Sequence, residues 1–222
     1  MTDPSPRPTR VDEVADALRS RILEGALGPG VALRETELEA HYAVSRHTVR
    51  RALALLVAER LATSRPYSGV TVAGVTVDGL IALQQLRCAL ESEAVRILRA
   101  SHGDDWPAPV LDPVETAVEA LATAGREPSD WRAVERAHAL VHSTLVRAAG
   151  SPRITEAYDA LDTELSVFLR HIRPDLDARR LAEDHRGFLA AARREGAAAV
   201  RDHLDASTAL LVRRLADPDD AS

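Results

Sequence analysis

The sequence predicts a mainly α chain in two parts: a small three-helix unit closed by a two-stranded hairpin, then an all-α bundle of six helices. Three observations carry this. Apolar residues recur every three or four positions over most of the 222 residues, the period of a helix with one buried face. Two short β-like runs, 61–64 and 70–72, flank a turn holding Pro66 and Gly69, which is a hairpin signal. Hydrophobic residues make up 45% and aromatics only 3%. Cores of Ala, Leu and Val are therefore large enough to exclude global disorder.

The elements follow in order. Residues 11–24 place Val14, Leu18 and Ile22 at four-residue steps, a helix that stops at Gly25. Three Gly and one Pro in 25–33 force turns, and Val31, Ala32 and Leu33 suit a short strand. A second helix, 35–42, turns Leu38 and Tyr42 inward. Ala43 and Val44 make a tight connection. Ser45 suits an N-cap, its hydroxyl taking an otherwise unpaired amide. The third helix then runs to about Glu59, with Val49, Leu53, Leu56 and Val57 on its apolar face.

The first two turns of that third helix also carry Arg46, Thr48, Arg50 and Arg51. Guanidinium forks at the amino end of a helix are what reading the major groove requires, because arginine pairs bidentately with guanine edges. An ordinary amphipathic helix with a solvated basic face has the same local pattern. The neighbours separate the two readings: helix, helix, tight turn, helix, hairpin is the order of a winged helix-turn-helix. Charge agrees. Over residues 41–70 five Arg face one acid, Glu59, a net of +4, whereas residues 76–222 carry 18 Arg against 25 acids, a net of −7. A basic island on a chain of net charge −6 suits local docking on phosphates.

The organisation expected is a disordered tail over 1–10, the winged unit over 11–73, a linker over 74–78, an all-α domain over 79–216 and a short tail over 217–222. The single cysteine, Cys88, cannot form an intramolecular disulfide, which suits a reducing cytoplasm. No apolar run approaches the ~20 residues of a membrane span, and the first ten residues lack the apolar core of a signal peptide.

The bundle reads as helices near 78–101, 112–124, 129–149, 151–172, 176–194 and 197–216, with Pro107, Pro109, Pro152, Pro174, Gly125, Gly150 and Gly196 at the breaks. His138 and His142 are four apart, so both imidazoles leave one helix face. His185 and His203 lie on the last two helices. Imidazoles at i and i+4, with ligands from facing helices, can close a site around a divalent transition metal. Surface or singly hydrogen-bonded core histidines are the alternative. Trp131 is expected to pack the bundle, and His102 and His171 to lie at the surface. A zincin helix needs Glu beside its first His, but Ala139, Leu140 and Val141 follow His138. No Ser-His-Asp order, glycine-rich phosphate loop or cysteine pair appears either, so no catalytic residue is expected.

ILEGALGPGVALRETELEAHYAVSRHTVRRALALLVAERLATSRPYSGVTV resembles the amino-terminal domain of the GntR family of bacterial transcription regulators. The resemblance lies in IL-x-G-x-L-x-PG-x-x-L, SR-x-x-VR-x-AL and a glycine-tipped wing, in that order. It implies operator binding as a homodimer. By position, Arg34 and Arg50 would contact phosphate or base, Arg46 a base and Thr48 the same surface. Gly69 would let the wing backbone approach the minor groove. Ser45 caps the reader, and Arg51 stands beside it. The family usually has Pro at Thr48 and Glu at Arg51, departures that bear on operator sequence rather than on fold.

LQQLRCALESEAVRILRA, ALVHSTLVRAAGSPRI and EDHRGFLAAARREGAAAVRDHLDAS resemble the FCD effector domain of FadR-like members. That resemblance implies a small organic-acid effector, a metal held by one Asp and three His, and a first-helix arginine, here Arg87, on the effector's carboxylate. His142 and His185 fall on two of the ligand positions. His138 takes the Asp position and Ser207 the last His position, with His203 one turn earlier. Losing the carboxylate favours Zn, Ni or Cu over Mn or Mg. Two outcomes stay open: a shifted site of His138, His142, His185 and His203, or a polar pocket without metal. Arg87 has a second reading as the partner of Glu91. The function these readings imply is a DNA-binding regulator, a repressor, controlled by a small carboxylate with or without a divalent metal. A regulator that senses the metal itself is the alternative.

Overall fold

A computed structural model describes residues 8–66, 69–126, 130–161, 164–166 and 178–216. The chain divides into two compact units, Met1–Val75 and Thr76–Ser222.

In the first unit, α1 spans Arg10–Leu23, α2 Glu35–Tyr42 and α3 Arg46–Ala58, followed by β1, Ala62–Arg65, and β2, Gly69–Val72. α1 starts inside the stretch read as tail, because Thr9 and Asp12 form a reciprocal capping box. That box satisfies two amides that no helical partner reaches. Val14, Ala15 and Leu18 of α1 pack against Val49, Ala52, Leu53 and Leu56 of α3, all buried. Ile22, Tyr42 and Val57, expected inward, are half-buried, at the margin of this small core. Ala43 closes α2 in the left-handed conformation, φ 50°, and turns the chain within two residues into α3. The wing pairs antiparallel, Ala62 opposite Val72 and Arg65 opposite Gly69. The expected strand at Val31–Leu33 appears as a single bridge, Ala32 to Thr71, flanked by Leu33 donating to Val70.

The second unit contains α4 (Val77–His102), α5 (Ala108–Ala124), α6 (Trp131–Ala148), α7 (Pro152–Asp159), α8 (Ala178–Glu195) and α9 (Ala197–Ala216). α5 begins four residues before the expected start. Pro109 falls in its first turn, where a missing N–H costs nothing. The long helix expected over 151–172 stops at Asp159, with a turn at Ala160 and Leu161; its last part lies outside the described residues. α5 packs on α6 and α8, and α9 on α4. One core gathers Val95 and Leu98 of α4, Val114 of α5, Leu145 of α6, Phe188 of α8 and Leu204 of α9. Each such side chain contributes about 1.5–3 kcal/mol of burial. Trp131 packs with Val118 and Val134, as expected, and its indole N–H donates to Glu135 at 2.7 Å. His102 is half-buried in the last turn of α4, and His171 lies outside the described residues.

Candidate nucleic-acid interface and metal centre

The first unit presents α3 with its amino end exposed. Ser45 accepts from the Thr48 amide at 3.2 Å, and its hydroxyl meets Thr48 Oγ1 at 2.9 Å. Arg46, Arg50 and Arg51 are exposed on the outward side of α3. Arg46 Nε donates to Glu35 Oε2 at 2.6 Å, and Arg50 Nε to both Glu35 oxygens at 2.9 and 3.0 Å. Those two guanidiniums hold the Glu35 carboxyl below its usual range, Arg50 more than Arg46. Arg34 precedes α2 and pairs loosely with Glu37 at 3.5 Å. Gly69 sits at the start of β2 with φ +78° and open space around its missing Cβ. A backbone of that sign with no side chain can approach a groove closely. Tyr67 and Ser68 of the wing tip lie outside the described residues.

In the second unit, α6, α8 and α9 bring all four candidate histidines together. Ring centroids are 4.9 Å apart for His138 and His142, 4.7 Å for His138 and His185, 4.8 Å for His185 and His203, and 5.3 Å for His142 and His203. One ligand atom from each of His138, His142 and His185 lies within 4.8 Å of the others. His203 completes the ring but stacks on Phe188, centroids 4.3 Å apart. Burial pushes all four imidazoles down, His203 to about 2. They are held neutral at pH 7, the form that ligates metal.

The hydrogen bonds fix which nitrogen each ring offers. His185 Nδ1 lies 2.6 Å from the Leu181 carbonyl and therefore carries the proton. His142 Nδ1 lies 3.0 Å from Glu91 Oε2, an acceptor, and is protonated too. The two Nε2 atoms, both left with lone pairs, face each other at 3.1 Å. Two lone pairs at that distance repel unless a positive centre lies between them. Among the described residues, His138 adds a buried Nδ1 with no hydrogen-bond partner, which costs free energy without a ligand. These residues fit a divalent ion, and carboxylate or carbonyl partners behind metal-binding imidazoles are the usual support.

Arg87 stands on α4 behind this cluster, 3% exposed. Its Nε donates to Glu91 Oε1 at 3.1 Å and its NH1 to Gln84 Oε1 at 3.0 Å. Tyr158 of α7 also donates to Glu91, at 2.7 Å. Gln84 Nε2 reaches Thr208 at 3.2 Å and Ser207 at 3.5 Å. A cavity of about 340 Å³ opens beside the histidines, lined by His138, His185, His203 and Ser207, with Trp131, Leu181 and Leu210 on its apolar wall and Glu135 and Asp184 among its acids. Arg87 is not among the residues lining that cavity, and its pair with Glu91 is formed, a contact compatible with either of its readings.

Residues 10–72 match the family described as bacterial regulatory proteins, gntR family, and residues 82–209 match the FCD domain. The chain belongs to the GntR family and carries an FCD domain. This GntR protein is similar to the HTH-type transcriptional regulator BphR of Paraburkholderia xenovorans, 29% identical over 83% of this chain and 78% of that one. A "Probable D-xylose utilization operon transcriptional repressor" of Paenarthrobacter nicotinovorans is 29% identical over 81% and 77%. A GntR transcriptional regulator from Rhodococcus sp. RHA1 superposes with a TM-score of 0.70 at 26% identity, covering 92% of this chain and 98% of that one. E. coli McbR/YncC, 21% identical over 94% and 99% with a TM-score of 0.69, shares the fold. The GntR protein is thus a transcription regulator and not an enzyme. Among its described residues no helix is long and apolar enough to cross a membrane.

Three supporting residues of this GntR chain were not among those expected from its sequence. Glu35 gathers two reader arginines, Tyr158 closes the Glu91 network, and Gln84 links α4 to α9. The one advance signal was Glu35 itself, an acid at the start of the helix that precedes the basic one.

Proposed function

We propose that this regulator is a repressor that binds a palindromic operator as a homodimer and releases or grips it according to a small carboxylate in the bundle cavity. Arg46 would read a base, Arg34 and Arg50 would contact phosphate or base, and Ser45, Thr48, Arg51 and Gly69 would complete the surface. Repression is supported by the likeness to the Paenarthrobacter repressor. Cytoplasmic residence follows from operator binding.

His138, His142 and His185 would hold a divalent ion, with His203 or Ser207 beside them. The facing Nε2 atoms at 3.1 Å carry this part of the reading. All-nitrogen donors favour Zn, Ni or Cu. A bound ion would supply the positive charge that attracts a carboxylate. The chain's own residues then shape the cavity: Trp131 and Leu181 exclude water, Ser207 offers a hydroxyl, and Glu91 fixes the His142 tautomer.

A second reading, in which the ion itself is the effector, draws on the engagement of Arg87 with Glu91 and Gln84. Zinc is titrated against operator affinity with and without a panel of small carboxylates. A response that needs the carboxylate supports the first reading, and a full response to zinc alone supports the second. No effect of zinc on either affinity or melting would sink the metal.

A further inference from the structure

Glu35 opens α2 and binds the two central arginines of α3 with one carboxylate. Its side chain is 27% exposed, against 61% for Arg46 and 59% for Arg50. Among the described residues, both guanidiniums hydrogen-bond through Nε. A guanidinium is a rigid fork of five donors. Held at Nε, it keeps its two terminal amino groups, the edge that spans guanine O6 and N7 or two phosphate oxygens. One carboxylate therefore restricts two long side chains before any DNA arrives, and pre-ordered side chains lose less entropy on binding. It also cancels one of the pair's two positive charges, beside Glu39, whose Oε1 lies 4.0 Å from Arg46 Nε. That weakens the indiscriminate pull of phosphates, which depends on charge alone.

We propose that Glu35 is a specificity-determining positioning residue, which aims Arg46 and Arg50 together and trades phosphate attraction for base discrimination. The inference rests on the DNA-reading role of α3. Neither effect comes from contact between Glu35 and DNA; both act through the arginines.

The full-length chain and the variants Glu35→Gln, Glu35→Asp and Glu37→Gln are each presented with a pool of randomised duplexes, and the bound fraction is sequenced. A single mixed-sequence duplex reports indiscriminate binding. Glu35→Gln should flatten the wild-type base preferences about tenfold and bind the mixed duplex several-fold more tightly. Glu35→Asp keeps the charge but draws the carboxylate back by one methylene. It should lose the same discrimination without the gain on the mixed duplex. Glu37 is on the same turn of α2 and pairs with Arg34 instead. Glu37→Gln should therefore gain on the mixed duplex and keep the wild-type preferences.

Unchanged preferences in both Glu35 variants, or equal flattening in Glu37→Gln, would overturn the proposal. So would a fall in melting temperature confined to the Glu35 variants and matching their loss of discrimination, since that assigns the effect to folding. A wild-type chain that enriches no sequence would overturn the DNA-reading role of α3, and this inference with it.

Discussion

Tyr158 shows how closely the buried polar groups depend on one another. Its hydroxyl donates to Glu91, which also accepts from Arg87 and His142. Burial pushes the phenol well above its usual value. The folded chain thus keeps Tyr158 neutral where an unfolded chain begins to ionise it, near pH 10. The stabilisation is complete below that pH and is lost above it, as pH rises toward and through the higher pKa of the folded group. Tyr158→Phe should cost about 1–3 kcal/mol of stability at pH 7, read by urea unfolding. It should leave the tyrosinate absorbance step of the folded protein unchanged in amplitude. A smaller step in the variant would show that Tyr158 titrates normally. Arg46→Ala should cost about 1–3 kcal/mol of operator binding and relax preference at one base. An equal loss on every sequence would make Arg46 a phosphate contact.

At the scale of elements, the reader helix depends on its cap. Ser45 satisfies the Thr48 amide, so Ser45→Ala should destabilise the winged unit by about 1 kcal/mol, while Ser45→Asp should retain most of it. Melting curves of the two variants test this, and equal midpoints would remove the cap from the account. Most elements were legible because each writes its period locally. Val14, Ala15 and Leu18 in α1, or Val49, Leu53 and Leu56 in α3, repeat at helical spacing whatever surrounds them. Boundaries were harder where one residue type serves two purposes. Pro109 read as a breaker, yet its first-turn position in α5 suits proline. The histidine cluster was legible in its members, because His138 and His142 share a face by spacing alone. The Glu35 clamp was not, because it depends on the angle at which Ala43 turns α2 into α3. The network that joins Arg87, Glu91 and Tyr158 likewise depends on which face of α4 meets α7.

At the scale of the whole molecule, the acidic excess lies in the second unit, with 18 Arg against 25 acids, while the first is nearly balanced, 10 Arg against 9 acids, with its basic residues gathered over 41–70. Operator affinity should fall steeply with salt, by a slope of about 0.9 per phosphate contacted on a log–log plot. A flat dependence would be incompatible with arginine docking. Metal and fold should be coupled in the bundle. Zinc at about a hundred times its dissociation constant should add about 2.7 kcal/mol to stability, and a chelator should reverse the rise in melting temperature. Metal affinity should also decline in acid, because protons compete for the same imidazole nitrogens.

Gly196 lies between the helix that carries His185 and the one that carries His203, a joint of a single residue with φ +68°. A joint so short has no slack. One residue inserted between His185 and Gly196 would turn everything downstream by about 100° and swing His203 away from its neighbours. A substitution at the same place is strained by that positive φ and also crowds Arg99, whose Cδ lies 3.0 Å from an added Cβ and whose guanidinium is held by the Arg193 carbonyl and Asp104. Across descendants of this chain, the joint between α8 and α9 should keep both its glycine and its length.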